Sequence, residues 1–444
     1  MQIRSSFFST DTKKVLALAI PAGLKHLVDI LQILIDMIMV GMVSVYALAA
    51  VGMSMQFMMV VNLFMTLYVV GGNALISRFI GQGRKRRASA LLFSLTLVAI
   101  VLAVIVSLPF YFFSYDFYAL MGASHEVALS GGSYMRILAM GFIVIFVDTL
   151  MYNALSASGD TRSSLYVKLL SALINATLNY IFIFGHFGVE AMGIEGAGYA
   201  TIIAYSFNIF AYAFILKKSD STLHLIPLLR VEDIKRVVKV GWSGALERGI
   251  SSLSFLLFVA IIANYGTSQL AGYQTGLRIE GIAFMPGFGF VIASMALVGQ
   301  SLGAKKIDEA YKMGIISAKI ASFFMGSIGV ILILFGECFI SFFTQDRETI
   351  EVAYSYLFLV GLAQIPLALN FVFSASLRGA GATKITLKVN VASLWLLRVI
   401  PSFIAFKLGY GVEMVFVIMN IETLIKGSIY YYIYKKRDWL YTKV

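Results

Sequence analysis

The chain contains 444 residues, of which 59% are hydrophobic and 13% are charged. So apolar a composition excludes an ordinary soluble domain of this size and indicates a membrane protein. The formal net charge of +12 would by itself also suit a nucleic-acid-binding protein. The positions of these charges along the chain therefore decide between the two interpretations.

Apolar runs of about 20 residues, the length needed to cross the hydrocarbon core of a bilayer, recur twelve times. We number them as spans 1 to 12. In chain order they lie near residues 15–40, 46–77, 88–113, 130–155, 163–185, 193–216, 234–263, 270–299, 311–336, 350–376, 385–407 and 412–434. The sequence therefore predicts an all-α integral membrane protein with twelve transmembrane helices.

The two halves of the sequence resemble each other. Shifted by 222 residues, half of its 444, the chain aligns with itself without a gap over most of each half. The matched segments include 48–50 with 270–272, 80–81 with 302–303 and 159–161 with 381–383. This repeat predicts two pseudo-symmetric lobes of six helices, at residues 1–216 and 241–444. Two similar membrane halves are typical of secondary transporters.

The predicted linker between the lobes, residues 217–240, contains an amphipathic segment, and span 7 begins near residue 234. Val231, Ile234 and Val238 fall on one face of this segment and charged residues fall on the other. This pattern is typical of a helix that lies along the inner leaflet of a membrane.

Most of the 35 lysines and arginines lie in the two tails, at inner helix ends or in the loops that follow even-numbered spans. This alternation predicts a multi-pass protein of the inner (plasma) membrane with both termini in the cytoplasm. The positive charge is then a topology signal and an attraction to anionic lipids. We therefore expect membrane lipids and no nucleic acid as partners.

Several other function classes are disfavoured by the sequence. Cys338 is the only cysteine and the four histidines show no metal-ligand spacing, so we expect no disulfide, metal centre or cofactor. Nucleophile elbows, phosphate-binding glycine loops and zinc-protease signatures are absent, so we expect neither an enzyme nor an ATP-driven pump. Nothing resembles the selectivity filter of a channel.

Span 1 carries a polar seam along one side of an apolar helix. Lys25, Asp29, Gln32 and Asp36 fall within about 60° of one another at helical spacing. With Asp148 on span 4, we count three acids but one base, Lys25, within the first half of the membrane domain. Charged groups inside a bilayer are expensive and usually functional, so this excess of acid indicates ion coupling.

Asp36 has no predicted charge partner. Such a carboxylate can bind and release a proton, or hold Na⁺ together with neighbouring oxygens. Asn175 and Asn179, four residues apart on span 5, supply amide oxygens on one face. The alternative is that Asp36 is hydrogen-bonded for structural reasons. Lys25, Asp29, Gln32 and Asp148 are predicted as additional cavity or relay residues.

The charges of the second half are balanced. It contains three acids, Glu247, Glu280 and Glu422, and three bases, Arg248, Arg278 and Arg398. One hypothesis is that they form ion pairs between helices. The other is that Glu247 or Glu280 receives a cationic substrate, with either Arg278 or Glu280 facing the cavity, because these two side chains point about 200° apart.

Pro21 lies in span 1, where a proline removes a backbone hydrogen bond and permits a kink. A hinge there would connect ion binding at Asp36 to a change of shape. An inert proline is the alternative, since many transmembrane helices contain one.

Four segments together resemble motifs of the multidrug and toxic compound extrusion (MATE) family. They are IDMIMVG at 35–41 with ALAA at 47–50, LVGQSLGA at 297–304, SGDT at 158–161 and LRGAG at 377–381. The resemblance covers the whole chain, with both six-helix lobes.

The resemblance implies a secondary antiporter that exports lipophilic, cationic organic compounds in exchange for H⁺ or Na⁺. It places the family's helix 1 acid on Asp36, its helix 1 proline on Pro21 and its helix 5 polar pair on Asn175 and Asn179. Some members have Asp at the second position of that pair. We expect a monomer, and the alternative function is a flippase for lipids or polysaccharide precursors within the same superfamily.

The second lobe departs from one bacterial branch of the family. The glutamate and aspartate that the resemblance associates with Na⁺ in helices 7 and 10 of that branch align with Ser251 and Leu367, and Glu247 lies one turn earlier. These departures favour coupling through the first lobe.

Overall fold

A computed structural model describes residues 10–219 and 221–442 of the chain. Within these residues the secondary structure is helical and contains no strand. The first half contains α1 (Thr10–Gly41), α2 (Val45–Gly81), α3 (Lys85–Phe112), α4 (Ser114–Leu120), α5 (His125–Met140), α6 (Phe142–Ser158), α7 (Thr161–Phe184) and α8 (Ile194–Lys217). The second half contains α9 (Val231–Ala263), α10 (Thr267–Gly303), α11 (Ile307–Ser341), α12 (Arg347–Leu362), α13 (Gln364–Gly379), α14 (Thr383–Ala392), a π-helical segment (Ser393–Val399), α15 (Ile400–Lys407), α16 (Val412–Lys436) and a 3-10 helix (Asp438–Tyr441).

Each of the twelve predicted spans coincides with one helix, with a pair of consecutive helices or, for span 11, with α14, the π-helical segment and α15 in succession. In the described part of the chain, eight helical segments are long and apolar enough to cross a membrane, and three bent pairs bring the number to eleven. The twelfth predicted span is α16, whose 25 residues include Glu422 and Lys426. At 1.5 Å per residue this helix is also long enough to cross a bilayer.

The bends of spans 4 and 10 occur at equivalent positions of the repeat. Helices α5 and α6 meet at 57° around Gly141, and α12 and α13 meet at 58° around Ala363. The N–H groups of both residues bond the carbonyl three positions earlier, at Leu138 and Val360. Because the two residues lie one repeat apart, the sequence repeat extends to the local backbone geometry.

A glycine turn also recurs in both halves. Gly159 follows α6 with φ 97°, and Gly381 precedes α14 with φ 77°. Side chains rarely adopt this left-handed conformation, which explains a glycine at the same repeat position in each half. In the first half, the following Asp160 caps α7 by accepting a hydrogen bond from the Ser163 N–H.

The helices form two compact units whose boundaries lie inside helices. One unit comprises Leu24–Gly241, and the other comprises Met1–Gly23 together with Trp242–Val444. The predicted lobe limits at 216 and 241 follow the sequence repeat instead. The contact boundary in α1 falls just after Pro21, although α1 continues without a break from Thr10 to Gly41.

The first unit, Leu24–Gly241, includes the beginning of α9. Asp233 is fully buried and accepts two hydrogen bonds from the Arg87 guanidinium of α3, at 3.0 and 2.7 Å. The segment predicted as a separate linker helix is therefore the first part of α9, and no break separates it from span 7. Val231 is 53% exposed and Val238 is also exposed, whereas Ile234 is half-buried, so most of the predicted apolar face remains accessible.

The second unit holds the beginning of α1 in an equivalent way. Asp11 of α1 pairs with Lys312 of α11 at 2.7 Å, and it occupies the same repeat position as Asp233. Each unit also contains a close helix crossing at a glycine. In the second unit Gly289 of α10 packs against the Ala19 carbonyl of α1, and in the first unit Gly241 of α9 packs against the Leu67 carbonyl of α2. Both crossings depend on a glycine, because a Cβ at either position would overlap the carbonyl oxygen.

We expect Gly241→Ala to destabilise the protein by about 1–3 kcal/mol, the usual cost of overpacking. A Cβ at this position would lie 1.7 Å from the Leu67 carbonyl oxygen, so α9 has to move away from α2. Gly52→Ala is the matched control, since its added Cβ would meet no atom within 4 Å other than those of its chain neighbours and its own helix backbone. Thermal unfolding in detergent measures both variants, and equal melting temperatures would contradict the close crossing.

Candidate functional site

One face of α1 carries the polar seam that the sequence predicts. In the first unit this face presents Asp29, Gln32 and Asp36 to α7, and Lys25 lies over the Tyr152 ring of α6. The opposite face is apolar, and its Leu31, Ile35 and Ile38 side chains are 42–59% exposed. A helix of this kind places lipid-compatible side chains outside and ionisable ones inside.

Asp36 contacts the asparagine pair of α7. The Asn179 side-chain amide donates a hydrogen bond of 2.5 Å to Asp36 Oδ1 and a longer one of 3.3 Å to Asn175 Oδ1. Both asparagines are fully buried, whereas Asp36 is half-buried. The helical spacing of four residues places the two amides on one face of α7 beside α1. The structure thus brings together the three residues predicted for ion coupling.

This cluster has unused hydrogen-bonding capacity. Within the described residues, Asn179 Oδ1 and Asn175 Nδ2 are buried and have no hydrogen-bond partner. Buried polar atoms are normally satisfied, so an orphaned oxygen beside a carboxylate is typical of a site that admits water or a small cation. Carboxylate and amide oxygens are suitable ligands for a hard cation such as Na⁺, and the carboxylate alone suffices for a proton.

Lys168 of α7 is a buried base that the sequence analysis missed. Its Nζ donates a 2.6 Å hydrogen bond to Gln32 Oε1 and lies 2.9 Å from Asp29 Oδ1. Lys25 pairs with the other oxygen of Asp29 at 2.8 Å. The expected count of one base in the first half is therefore wrong, since Asp29 is held between two lysines. The helical spacing of Lys168, Asn175 and Asn179 along one face of α7 was the signal available in the sequence.

Asp148 of α6 is buried in the same unit and forms no ion pair with the described residues. One of its carboxyl oxygens has no hydrogen-bond partner among the described residues. Lys25 lies 4.1 Å from the ring centre of Tyr152, one turn further along α6.

Glu247 of α9 is neutralised within the second unit. The Arg378 guanidinium of α13 lies 3.0 Å from Glu247 Oε1, and the Thr386 hydroxyl donates a 2.7 Å hydrogen bond to Oε2. The Asn390 side-chain amide donates a further hydrogen bond to Oε1. Arg378 belongs to the LRGAG motif and was not among the bases expected inside the membrane.

The remaining charges of the second unit divide into two groups. Glu422 is fully buried and pairs with Arg398 at 2.6 Å and with Lys426 at 2.8 Å. Glu280 is buried and accepts a hydrogen bond from the Tyr356 hydroxyl, without an ion pair in the described part of the chain. Arg248 and Arg278 are exposed and form no ion pair with the described residues. The expected pairing between helices therefore holds for Glu422, whereas Glu247 uses a different base.

The described residues contain no group of three or more His, Cys, Asp or Glu side chains arranged to hold a metal ion. A cation at Asp36 would therefore rely on amide oxygens in addition to one carboxylate.

A family model described as MatE matches the chain twice, over residues 21–181 and 245–404. The two matches reproduce the internal repeat and together cover most of the sequence.

Sequence relatives of similar length extend this match. The chain is 29% identical over 404 residues to "Probable multidrug resistance protein NorM" of Thermotoga maritima, covering 89% of this chain and 86% of that protein. It is also 22% identical over 411 residues to "Uncharacterized transporter YisQ" of Bacillus subtilis, covering 91% of this chain and 90% of that protein.

Solved structures share the fold over almost the whole chain. The Vibrio cholerae MATE transporter VcmN in its bent form superposes with a TM-score of 0.89 at 21% identity, covering 98% of both chains. A MOP superfamily transporter from Pyrococcus furiosus superposes with a TM-score of 0.89 at 20% identity, covering 99% of this chain and 98% of that one. The predicted fold, twelve transmembrane helices in two pseudo-symmetric six-helix lobes, is confirmed.

The double family match, the repeat and the fold lead to one assignment. The chain is a multi-pass membrane transporter of the MatE (multidrug and toxic compound extrusion) family and not an enzyme.

Proposed function

We propose that the protein is a secondary antiporter that exports lipophilic, cationic organic compounds in exchange for H⁺ or Na⁺. The contact between Asp36 and Asn179 is the main observation behind this proposal. It places a carboxylate that has no ion pair among the described residues beside buried amides with unsatisfied polar atoms. Relatives named as multidrug resistance proteins support small organic compounds as the substrates.

Asp36 is the coupling residue in this proposal, and Asn175 and Asn179 position the cation. Asp29 is already neutralised by two lysines at 2.8 and 2.9 Å, so it has no free charge to offer. Ion exchange needs a carboxylate that is neutralised by a cation able to dissociate, such as H⁺ or Na⁺, and not by a lysine of the protein. No other cofactor is involved.

The substrate's positive charge is proposed to contact the second lobe. Glu247 is compensated by Arg378 and two further hydrogen bonds, so its role is structural. Glu280 has a tyrosine hydroxyl as its neighbour instead of a base, which leaves its charge available to a cationic compound. Arg278, which is exposed, is then not part of the cation contact.

The lobes of the exchange cycle are proposed to be residues 1–216 and 241–444, joined by 217–240. Pro21 serves as a hinge in this proposal, supported by the unit boundary that follows it in α1. The protein is proposed to act as a monomer in the inner membrane. The distribution of lysines and arginines supports cytoplasmic termini and contact with anionic lipids.

Gradient-driven transport in proteoliposomes tests this function. Ethidium, a fluorescent monovalent cation, is followed under a pH gradient alone and under a Na⁺ gradient alone. We expect one of the two gradients to drive ethidium against its concentration, with about tenfold accumulation for one pH unit or for a tenfold Na⁺ gradient. Transport that ignores both gradients would contradict antiport. Scrambling of labelled lipids that depends on their headgroups would instead favour the flippase.

A further inference from the structure

The second unit contains a carboxylate cluster that resembles the Asp36 site in its chemical groups. Glu247 of span 7, the first span of its half, accepts a hydrogen bond from the Asn390 side-chain amide of span 11, the fifth span of that half. In the first half, Asn179 of span 5 donates in the same way to Asp36 of span 1. Each half of the chain therefore joins a carboxylate of its first span to an asparagine of its fifth span.

The two pairs of residues also share their register. The carboxylate and the asparagine are 143 positions apart in both halves. Glu247 and Asn390 each lie eleven residues before the repeat mate of Asp36 or Asn179, which is about three helical turns. The second half therefore contains the same constellation, displaced along both helices by the same amount.

The two clusters differ in how the carboxylate is neutralised. Asp36 forms no ion pair with the described residues, whereas Glu247 Oε1 lies 3.0 Å from the Arg378 guanidinium. The first half has no base at the equivalent position, because Arg378 aligns with Ser156 in the repeat. The positive charge at Glu247 is thus part of the chain itself and cannot dissociate.

The groups around the Arg378 guanidinium would also suit a small cation. Arg378 donates a 3.0 Å hydrogen bond to Ser374 Oγ, and the Thr386 hydroxyl lies 2.7 Å from Glu247 Oε2. A hydroxyl has acceptor lone pairs, and the Asn390 amide can turn its oxygen towards a cation. Such oxygens are ligands for a hard cation such as Na⁺, and the carboxylate alone suffices for a proton. The Arg378 side chain is 23% exposed, so solution can reach this position.

Other bases of the second unit are not placed to substitute for Arg378. Lys426 pairs with Glu422 at 2.8 Å. Arg248 follows Glu247 in the sequence, but it points about 100° away around α9 and is exposed. Without the charge of Arg378, the buried Glu247 carboxylate would be uncompensated. This state is strongly unfavourable unless the carboxylate binds a proton or another cation.

We propose that the Arg378 guanidinium is a tethered cation that occupies a second H⁺ or Na⁺ site at Glu247 and thereby confines cation exchange to the Asp36 site. This inference rests on the proposed antiport function and names the residue that limits where the exchanged cation binds. The structural role of Glu247 and the coupling role of Asp36 then differ because only one of the two carboxylates has a base attached to the same chain.

The test removes the tethered charge and counts the bound cations. We expect Arg378→Gln to bind one more monovalent cation per chain than the wild type, because Glu247 then needs an external partner. Proton uptake on titration in weakly buffered detergent solution and binding of radioactive ²²Na⁺ measure this number in folded, monodisperse protein. Arg378→Lys keeps the charge and is expected to return the wild-type number. An unchanged number in folded Arg378→Gln would overturn the inference.

A double variant locates the additional cation. Combining Glu247→Gln with Arg378→Gln removes the carboxylate as well as the guanidinium, so the number of bound cations should return to that of the wild type. A merely structural role of Arg378 would lower the melting temperature of Arg378→Gln without changing the number of cations. An additional cation that persists in the double variant would place it away from Glu247 and overturn the inference.

Asn390→Asp keeps the inference testable if Arg378→Gln does not fold. It adds a second carboxylate while Arg378 remains, so we expect one more bound cation than in the wild type, and Asn390→Leu is the control that adds none. Equal numbers in Asn390→Asp and Asn390→Leu would overturn the inference. If ethidium transport requires Asp36 and these numbers do not change, this inference fails while antiport stands. If the wild type ignores both ion gradients, antiport itself fails, whatever number Arg378→Gln binds.

Discussion

Replacing Asp36 by asparagine is expected to abolish ethidium export driven by an ion gradient. Asparagine has nearly the same shape and can still bond Asn179, but it has no charge for a proton or Na⁺ to neutralise. The accumulation of roughly tenfold expected for one pH unit should fall to the level reached without a gradient. The measurement is ethidium fluorescence in proteoliposomes that contain equal amounts of wild-type and variant protein.

Asp116→Asn provides the matched control for this prediction. Asp116 is an exposed acid at the start of the short helix α4, so the same substitution there leaves the contacts of Asp36 intact. We expect transport by this variant to equal that of the wild type. Full gradient-driven export by Asp36→Asn at normal protein levels would remove Asp36 from the mechanism.

Replacing Glu422 by glutamine is expected to destabilise the protein by about 3–5 kcal/mol, the usual cost of breaking a buried ion pair. Glu422 is fully buried between Arg398 and Lys426, at 2.6 and 2.8 Å. Without the carboxylate, two positive side chains repel each other in a region of low dielectric constant and only one neutral amide remains between them. Thermal unfolding in detergent should show a decrease of several degrees.

The control for this prediction is Glu351→Gln, the same substitution in an exposed ion pair. Glu351 lies 3.2 Å from Arg347, and both side chains are largely exposed to solvent. Surface ion pairs of this kind contribute about 0–1 kcal/mol, so Glu351→Gln should unfold close to the wild-type temperature. If Glu422→Gln proved as stable as Glu351→Gln, the charges around Glu422 would not be compensated as the structure indicates.

The sequence predicted those features that depend on local patterns. Apolar length fixes the spans, because each bilayer crossing needs about 20 residues. Helical periodicity placed Asp36 on the same face of α1 as Asp29, and it placed Asn175 and Asn179 together on α7. The contact between Asp36 and Asn179 follows once these two faces meet, and the resemblance to the family's helix 1 acid and helix 5 polar pair predicted that they meet.

Features that depend on which helices meet could not be predicted. Lys168 lies within span 5 and could have been counted from the sequence, but its contacts with Gln32 and Asp29 come from another helix, so the shared carboxylate could not be foreseen. Arg378 neutralises Glu247 across 131 positions of sequence. The crossing of α9 with α2 depends on Gly241, a residue whose role is visible only when the neighbouring carbonyl is known.

The number of cations bound by the purified protein, compared between wild type and Asp36→Asn, tests the central claim most directly. Proton uptake and ²²Na⁺ binding in detergent give this number without any assumption about the transported compound. The proposed mechanism predicts one monovalent cation per wild-type chain and none in the variant. Equal binding by the two proteins would show that the coupling cation occupies another site.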